Sequence, residues 1–124
     1  MKILIADDEQ SIRSLLLAIL QGLDHQIFVA QDGEEALDIV VKESPDLLLL
    51  DVDMPKVTGL EVCTAVKSDL IKAKTRIILL TAKTTEADIK SGMEAGADLY
   101  MTKPFSPTAL LLEVQRSKDI VTGH

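Results

Sequence analysis

Residues 47–51 read LLLLD, four aliphatic residues followed at once by an acid. A run this short and this apolar is typical of a strand that is buried on both faces of a parallel sheet. Short apolar runs recur along the chain, and each predicts one strand: Lys2–Ala6, Gln26–Ala30, Leu47–Leu50, Arg76–Leu80 and Asp98–Met101. The sequence therefore predicts five strands, with Asp51 directly after the third.

Between these runs, apolar residues recur at helical spacing. The i, i+3, i+4 pattern is clearest over residues 12–23. The fourth helix, predicted over Glu86–Ala95, is the poorest in apolar residues, and we expect Ile89 and Met93 to anchor it. Gly92 inside this helix costs ~1 kcal/mol relative to alanine. We therefore expect the fourth helix to be the most easily remodelled of the five.

Five strands that alternate with five helices make an α/β domain. Right-handed crossovers between parallel strands place helices on both faces of the sheet. The prediction is a (βα)5 fold, a doubly wound, open, parallel five-stranded sheet. The 124 residues suit a single domain, and neither a linker nor a low-complexity tract divides residues 1–124.

Composition narrows the classes of function. Thirteen basic and twenty acidic residues give a net charge of −7, which disfavours direct binding to nucleic acid or to an anionic membrane. The single cysteine, Cys63, cannot form an internal disulfide, and its place on an apolar helical stripe predicts burial. No apolar run approaches the ~18 residues of a membrane span. We expect a cytoplasmic protein.

Polar side chains collect where the predicted strands end. Asp7 and Asp8 follow the first strand, Asp51 the third, Thr81 the fourth and Lys103 the fifth. In an open α/β sheet, ligands bind outside the carboxyl ends of the strands. The sequence therefore predicts one site, with three carboxylates, a hydroxyl and an ammonium.

The charges suggest what this site holds. Three carboxylates in one cleft repel one another, and a divalent cation relieves the repulsion. Oxygen ligands favour a hard ion, Mg²⁺ or Mn²⁺. Histidine offers no alternative ligand set, because His25 has no other histidine and no cysteine near it in sequence and His124, the final residue, is expected to be mobile. An ammonium suits a transferring phosphoryl group, and a carboxylate can attack phosphorus. The residues thus predict magnesium-dependent phosphoryl capture on an aspartate, and leave open which aspartate accepts it.

Other interpretations of these residues exist. Asp7 and Asp8 could simply cap the first helix. Asp51-Val52-Asp53 supplies the Asp-x-Asp pair of an aspartate-nucleophile phosphatase of the haloacid dehalogenase type, but Met54-Pro55 follows where that family has a different pattern. A flavodoxin-like cofactor binder would need a phosphate-cradling loop and aromatic residues beside a flavin, and the sequence offers neither.

Four segments together resemble the receiver domain of two-component response regulators. They are ILIADDE at 3–9, LLLLDVDMPKVTG at 47–59, IILLTAK at 77–83 and GADLYMTKPF at 96–105. They stand in the family's order, and the resemblance covers essentially the whole chain. It implies the strand order 2-1-3-4-5 and a cis peptide bond between Lys103 and Pro104.

The resemblance also implies a metal-ligand set. Asp8 and Asp51 would bind Mg²⁺ directly, with Mn²⁺ as a substitute. Asp7 would bind it through water, and Asp53 would contribute its backbone carbonyl. The side chain of Asp53 could equally be a solvated acid in a loop.

Further roles follow from the same resemblance. Asp51 would be the phosphoacceptor, and Thr81 and Lys103 would hold phosphoryl oxygens. Tyr100 matches the aromatic residue that changes rotamer on activation, although an aromatic residue near a strand end is often only packed there. The changed surface would comprise the fourth helix, the fifth strand and the fifth helix.

Partners are implied as well. A sensor histidine kinase or a phosphotransfer protein would supply the phosphoryl group from a phosphohistidine, and the receiver would later hydrolyse its own phosphate. A downstream effector domain or target protein would read the changed surface. A phosphorylation-dependent dimer is compatible with the family, but Leu99 stands where many transcriptional receivers have a second Asp that helps their active dimer. The chain could stand alone or form the N-terminal part of a longer regulator.

Overall fold

The computed structural model describes residues 1–69 and 74–122. Within these ranges, strands and helices alternate in the predicted order. The strands are β1 (Lys2–Ala6), β2 (Gln26–Ala30), β3 (Leu47–Asp51), β4 (Arg76–Thr81) and β5 (Leu99–Thr102). The helices are α1 (Gln10–Leu20), α2 (Gly33–Glu43), α3 (Gly59–Ser68), α4 (Glu86–Glu94) and α5 (Pro107–Thr122).

All five strands are parallel, and their order is β2-β1-β3-β4-β5. This confirms the predicted sheet. β3 lies at the centre, where Leu48 pairs with Leu4 on one side and with Ile77 on the other. Every residue of β3 is buried, as an unbroken leucine run requires when helices cover both faces of a sheet.

The two faces of the sheet carry separate hydrophobic clusters, because successive side chains of a strand point to opposite sides. Leu48 and Leu50 pack with residues of α2 and α3, such as Val40 and Val62. Their neighbours on β3 face the other side, and pack with residues of α1 and α5: Leu47, Leu49, Leu16, Leu20, Leu110 and Val114. The fold is therefore doubly wound.

α3 begins directly against the end of β3. Its first residue, Gly59, donates its backbone N–H to the carbonyl of Val52 at 2.9 Å. A Cβ atom at Gly59 would lie 2.0 Å from the carbonyl oxygen of Asp51. Only glycine allows this approach, and the approach sets the course of the chain that follows Asp51.

Three of the predicted strands have boundaries that differ by one residue from those in the structure. Asp51 and Thr81 are the last residues of β3 and β4 rather than the first residues after them, because each still pairs with its neighbouring strand. β5 begins at Leu99 instead of Asp98. The Asp98 carboxylate accepts hydrogen bonds from the backbone N–H of Ile77 and from Lys67 Nζ, so Asp98 holds the start of the strand through its side chain.

The predicted anchors of α4 were also wrong. Ile89 is 37% exposed and Met93 is 44% exposed. The buried residue of α4 is Gly92, where an added Cβ would lie 2.9 Å from Leu79 Cδ1 and 3.0 Å from Tyr100 Cδ2. The helix is attached by a close approach of its backbone to the sheet, and not by large apolar side chains.

Candidate functional site

The predicted polar residues meet at the carboxyl edge of the sheet. Lys103, which follows β5, places its Nζ 2.7 Å from Asp7 Oδ2 and 3.2 Å from Asp51 Oδ1. The peptide bond between Lys103 and Pro104 is cis, as predicted. Asp7 and Asp51 are buried, and Lys103 is half-buried. Three strand ends that are far apart in sequence thus contribute to one ionic cluster.

Burial and charge shift the protonation equilibria of this cluster. Burial, and then the negative charge of Asp7, raise the pKa of Asp51 to about 7, although Lys103 opposes the shift. Burial acts to lower the pKa of Lys103, but its hydrogen bonds and its attraction to Asp7 and Asp51 raise it overall. Lys103 therefore stays protonated, while ionised Asp51 requires compensation by positive charge.

The cluster fits a divalent cation. Asp7, Asp8 and Asp51 each offer a carboxylate oxygen, and these three oxygens lie within 4.8 Å of one another. Three carboxylates and one ammonium leave an excess of negative charge. Oxygen ligands of this kind suit Mg²⁺ or Mn²⁺.

The acids do not cap the first helix. The N-cap residue of α1 is Glu9, whose side chain makes no capping hydrogen bond. Asp7 Oδ1 instead accepts the backbone N–H of Glu9 at 2.9 Å, and the carboxylate of Asp8 is exposed. The helix-capping interpretation of Asp7 and Asp8 was wrong.

Asp53 lies two residues beyond the end of β3, and its side chain is paired. Asp53 Oδ1 lies 3.0 Å from Lys83 Nζ, and both side chains are about half exposed or more, at 64% and 49%. The hydrogen bond to Asp53 is the main cause that raises the pKa of Lys83. The carboxylate of Asp53 is therefore occupied by Lys83, whereas its backbone carbonyl stays a predicted metal ligand.

Thr81 and Tyr100 are joined through the backbone of Lys83. Thr81, which is buried at the end of β4, accepts the N–H of Lys83 on its Oγ1 at 3.1 Å. The hydroxyl of Tyr100 donates to the carbonyl of Lys83 at 2.7 Å, and burial is the main cause that raises the pKa of Tyr100. The two residues predicted to form a switch therefore share one backbone partner.

One contact at this edge was missed by sequence reasoning. A terminal nitrogen of the Arg13 guanidinium donates to the backbone carbonyl of Asp7 at 2.7 Å. Residue type and spacing gave no signal of it, because the acceptor is a main-chain atom. The side-chain pattern alone could therefore not have identified Arg13.

Two of the residues predicted to lie outside the site, Cys63 and His25, do so in the structure. Cys63 is fully buried, and burial raises the pKa of its thiol to about 11. His25 contacts the N-terminal amine through Nδ1 at 3.2 Å, and His124 lies outside the described residues. Among residues 1–69 and 74–122, none of the helices has the length and apolarity needed to cross a bilayer.

Comparison with known proteins gives a consistent result. Residues 3–115 match the family model of the response regulator receiver domain. The alkaline phosphatase synthesis transcriptional regulatory protein PhoP of Bacillus subtilis is 49% identical over 106 residues, which are 86% of this chain and 43% of that protein. The ycf27 protein of Guillardia theta is 45% identical over 109 residues, 88% of this chain and 42% of that protein. The chain thus spans about two fifths of the length of these relatives.

Solved structures show the same likeness. The chemotaxis protein CheY4 of Vibrio cholerae superposes with a TM-score of 0.86 at 36% identity. The match covers 94% of this chain and 97% of that one.

Proposed function

The chain belongs to the receiver domain family of two-component response regulators, and from this membership we propose that Asp51 is its phosphoacceptor. The observation that carries the proposal is the position of Asp51. It ends the central strand, buried, 3.2 Å from Lys103 Nζ and beside Asp7 and Asp8. Among the described residues that form the acidic cluster, Asp51 is the one that combines burial, a strand end and a neighbouring ammonium with a raised pKa.

The proposed reaction is attack by an Asp51 carboxylate oxygen on the phosphorus of a phosphohistidine. The new oxygen–phosphorus bond forms as the phosphorus–nitrogen bond breaks, and the imidazole nitrogen keeps the bonding electron pair and takes up a proton. The ammonium of Lys103 and the hydroxyl of Thr81 stabilise charge on the phosphoryl oxygens. In autodephosphorylation, water attacks phosphorus, the bond to Asp51 breaks, and inorganic phosphate leaves with the carboxylate restored.

We assign a Mg²⁺ site to Asp8, Asp51 and the backbone carbonyl of Asp53, with Asp7 acting through water and with Mn²⁺ as a substitute. When bound, the cation neutralises negative charge on the carboxylates and on the phosphoryl oxygens. The three clustered carboxylates and the need of Asp51 for compensating charge support this assignment.

We also propose that Thr81 and Tyr100 form the switch. A phosphoryl oxygen that accepts a hydrogen bond from Thr81 would draw it toward Asp51. Lys83 would transmit the movement, since its N–H donates to Thr81 and its carbonyl accepts from Tyr100. The surface of α4, β5 and α5 would then change.

The partners follow from the family. In this family a histidine kinase donates a phosphoryl group to the receiver, and an effector responds to the receiver. Here we propose a sensor histidine kinase or a phosphotransfer protein as the phosphoryl donor. As in relatives of which the match covers about two fifths, we propose that residues 1–124 act as the receiver part of a response regulator. We propose that the kinase and the receiver interact in the cytoplasm. The net charge of −7 supports a domain that does not itself bind nucleic acid or membrane, and dimerisation on phosphorylation remains compatible with the proposal.

Intact mass after incubation with acetyl phosphate and Mg²⁺ tests the proposal. We expect the wild-type chain to gain one phosphoryl group and Asp51→Asn to gain none, because an amide cannot form the same acyl phosphate. Asp38→Asn is the matched control, since Asp38 is an exposed acid on α2, and it should be labelled like wild type. Equal labelling of Asp51→Asn and wild type would place the acceptor elsewhere.

A further inference from the structure

We propose that Arg13 is a positioning residue for Asp8 and so sets the affinity of the divalent cation; this inference rests on the metal site assigned above. Arg13 lies in the first turn of α1, half-buried. Its guanidinium reaches back over the loop between β1 and α1 and donates to the carbonyl of Asp7 at 2.7 Å. The contact is made to the backbone and not to a carboxylate.

This bond and a second one hold the peptide planes on both sides of Asp8. The carbonyl of Asp7 belongs to the peptide that joins residues 7 and 8. The N–H of Glu9 belongs to the peptide that joins residues 8 and 9, and it donates to Asp7 Oδ1 at 2.9 Å. Because each peptide is planar, fixing both planes fixes the two backbone dihedrals of Asp8. The direction of its Cα–Cβ bond is thereby set, and this limits where its carboxylate can lie.

Asp7, which accepts both of these hydrogen bonds, is itself held in place by further contacts. The backbone N–H of Asp7 donates to the carbonyl of Ala30 at 3.2 Å, and Asp7 Oδ2 accepts from Lys103 Nζ at 2.7 Å. With Arg13 on its carbonyl and Glu9 on Oδ1, every polar group of Asp7 is hydrogen-bonded. Asp8 has an exposed carboxylate, and the bonds that its neighbours make govern the direction of its Cα–Cβ bond.

If Arg13 acted through its charge, its removal would change the Mg²⁺ affinity in one direction; if it acts by positioning Asp8, its removal would change the affinity in the opposite direction. A guanidinium near a cation site repels the cation, so removal of its charge alone would strengthen Mg²⁺ binding. Loss of its hydrogen bond would release Asp8 and weaken Mg²⁺ binding, as is typical for residues that orient metal ligands. The sign of the change in affinity therefore separates the two roles.

Titration calorimetry with Mg²⁺ alone tests the proposal. Arg13→Met keeps the length and apolar stem of the side chain but removes its donors and charge, and we expect its Kd to rise about tenfold. Arg116→Met is the matched control, because Arg116 is an exposed arginine on α5 paired with Glu113 at 2.9 Å; it should bind like wild type. An unchanged or lower Kd for Arg13→Met would overturn the proposal.

A second variant covers a loss of folding. If circular dichroism shows that Arg13→Met does not fold, Arg13→Lys is tested instead, because lysine retains the positive charge but lacks the planar guanidinium with its several donors. A raised Kd for Arg13→Lys cannot come from lost charge, whereas wild-type affinity would count against positioning.

A double-mutant cycle with Asp8→Asn identifies the route. Arg13→Met should change the Kd little in an Asp8→Asn background, because the proposed effect passes through Asp8. Full additivity of the two changes would overturn that route. If Asp8→Asn alone binds Mg²⁺ like wild type, the metal assignment itself fails; if it binds weakly while Arg13→Met binds normally, only the present inference fails.

Discussion

Lys56 is held in a backbone conformation that L-residues rarely adopt. Its φ is +68°, in the left-handed region that costs about 1–2 kcal/mol per residue. Its ammonium lies 3.5 Å from Asp32 Oδ2 and 4.0 Å from Glu34 Oε2, which joins the loop after β3 to the start of α2. Ion pairs at exposed sites contribute about 0–1 kcal/mol, so they offset only part of the backbone cost.

We therefore expect Lys56→Gly to unfold at higher urea concentration than Lys56→Ala. Both variants lose the ion pairs, but only glycine relieves the left-handed conformation. After the entropy that glycine adds to the unfolded chain is subtracted, its advantage should be about 0.5–1 kcal/mol. An alanine variant of equal or greater stability would show that the loop conformation carries no such cost.

At the scale of single residues, the sequence predicted contacts between side chains better than contacts that involve the backbone. Asp7, Asp51 and Lys103 were predicted to meet because parallel strands bring their carboxyl ends to one edge, and the structure places them within hydrogen-bonding distance. The contact between Arg13 and Asp7 and the shared bonds at Lys83 could not be predicted. Main-chain acceptors and donors occur at every residue, so they leave no pattern in the sequence.

Among the helices, α4 shows where periodicity misleads. Its apolar residues at helical spacing, Ile89 and Met93, are not buried in the core. The pattern predicts a helix, but it cannot tell which side of a helix is covered when the buried residue is a glycine. The structure assigns that role to Gly92, whose missing side chain makes room for Leu79 and Tyr100.

Gly92→Ala should therefore fail to stabilise the protein. Helix propensity alone would add about 1 kcal/mol to the free energy of unfolding, but the new methyl group would meet Leu79 and Tyr100 at 2.9–3.0 Å. Overpacking of this kind typically costs 1–3 kcal/mol. We expect equal or lower stability in urea unfolding, together with shifted NMR resonances of the Tyr100 ring.

Ser91→Ala is the control for propensity on the same helix, since Ser91 is exposed. It should raise stability by a few tenths of a kcal/mol, roughly the difference in helix propensity, and leave Tyr100 unchanged. A full propensity gain from Gly92→Ala with an unmoved Tyr100 ring would contradict the close packing of α4.

For the whole molecule, the raised pKa of Asp51 predicts a pH dependence of stability in the absence of divalent cations. Burial and the charge of Asp7 raise this pKa to about 7 in the folded state, against about 3.9 in the unfolded chain. Between these values the folded state binds the additional proton, so the contribution of Asp51 to stability is lost as the pH rises. Asp51→Asn should become more stable relative to wild type on going from about pH 5 to about pH 8.

Urea unfolding in a chelator, at several pH values, measures this difference. Added Mg²⁺ should then stabilise wild type more than Asp51→Asn at the higher pH, because a ligand that binds only the folded state stabilises it. A difference between the two proteins that stays constant across the pH range would mean that Asp51 has an ordinary pKa.

The architecture as a whole was predictable because it depends on patterns that repeat five times. Short aliphatic runs separated by helical segments leave few topologies, and the strand order that the family resemblance implied is the one observed. The ends of the strands could be predicted only to within one residue, because polar residues such as Asp51 and Thr81 can still pair with a neighbouring strand through their backbones.

The site draws on residues 7, 51, 81 and 103 of a chain that a ribosome delivers from its amino end. Lys103, whose Nζ contacts both Asp7 and Asp51, is therefore synthesised after every acid of the cluster. A nascent chain that has exposed Asp51 but has not yet reached Lys103 lacks the ammonium and the complete edge strand that surround Asp51 in the folded protein. On the proposed function, a nascent chain that has not yet reached Lys103 has an incomplete site for phosphoryl capture.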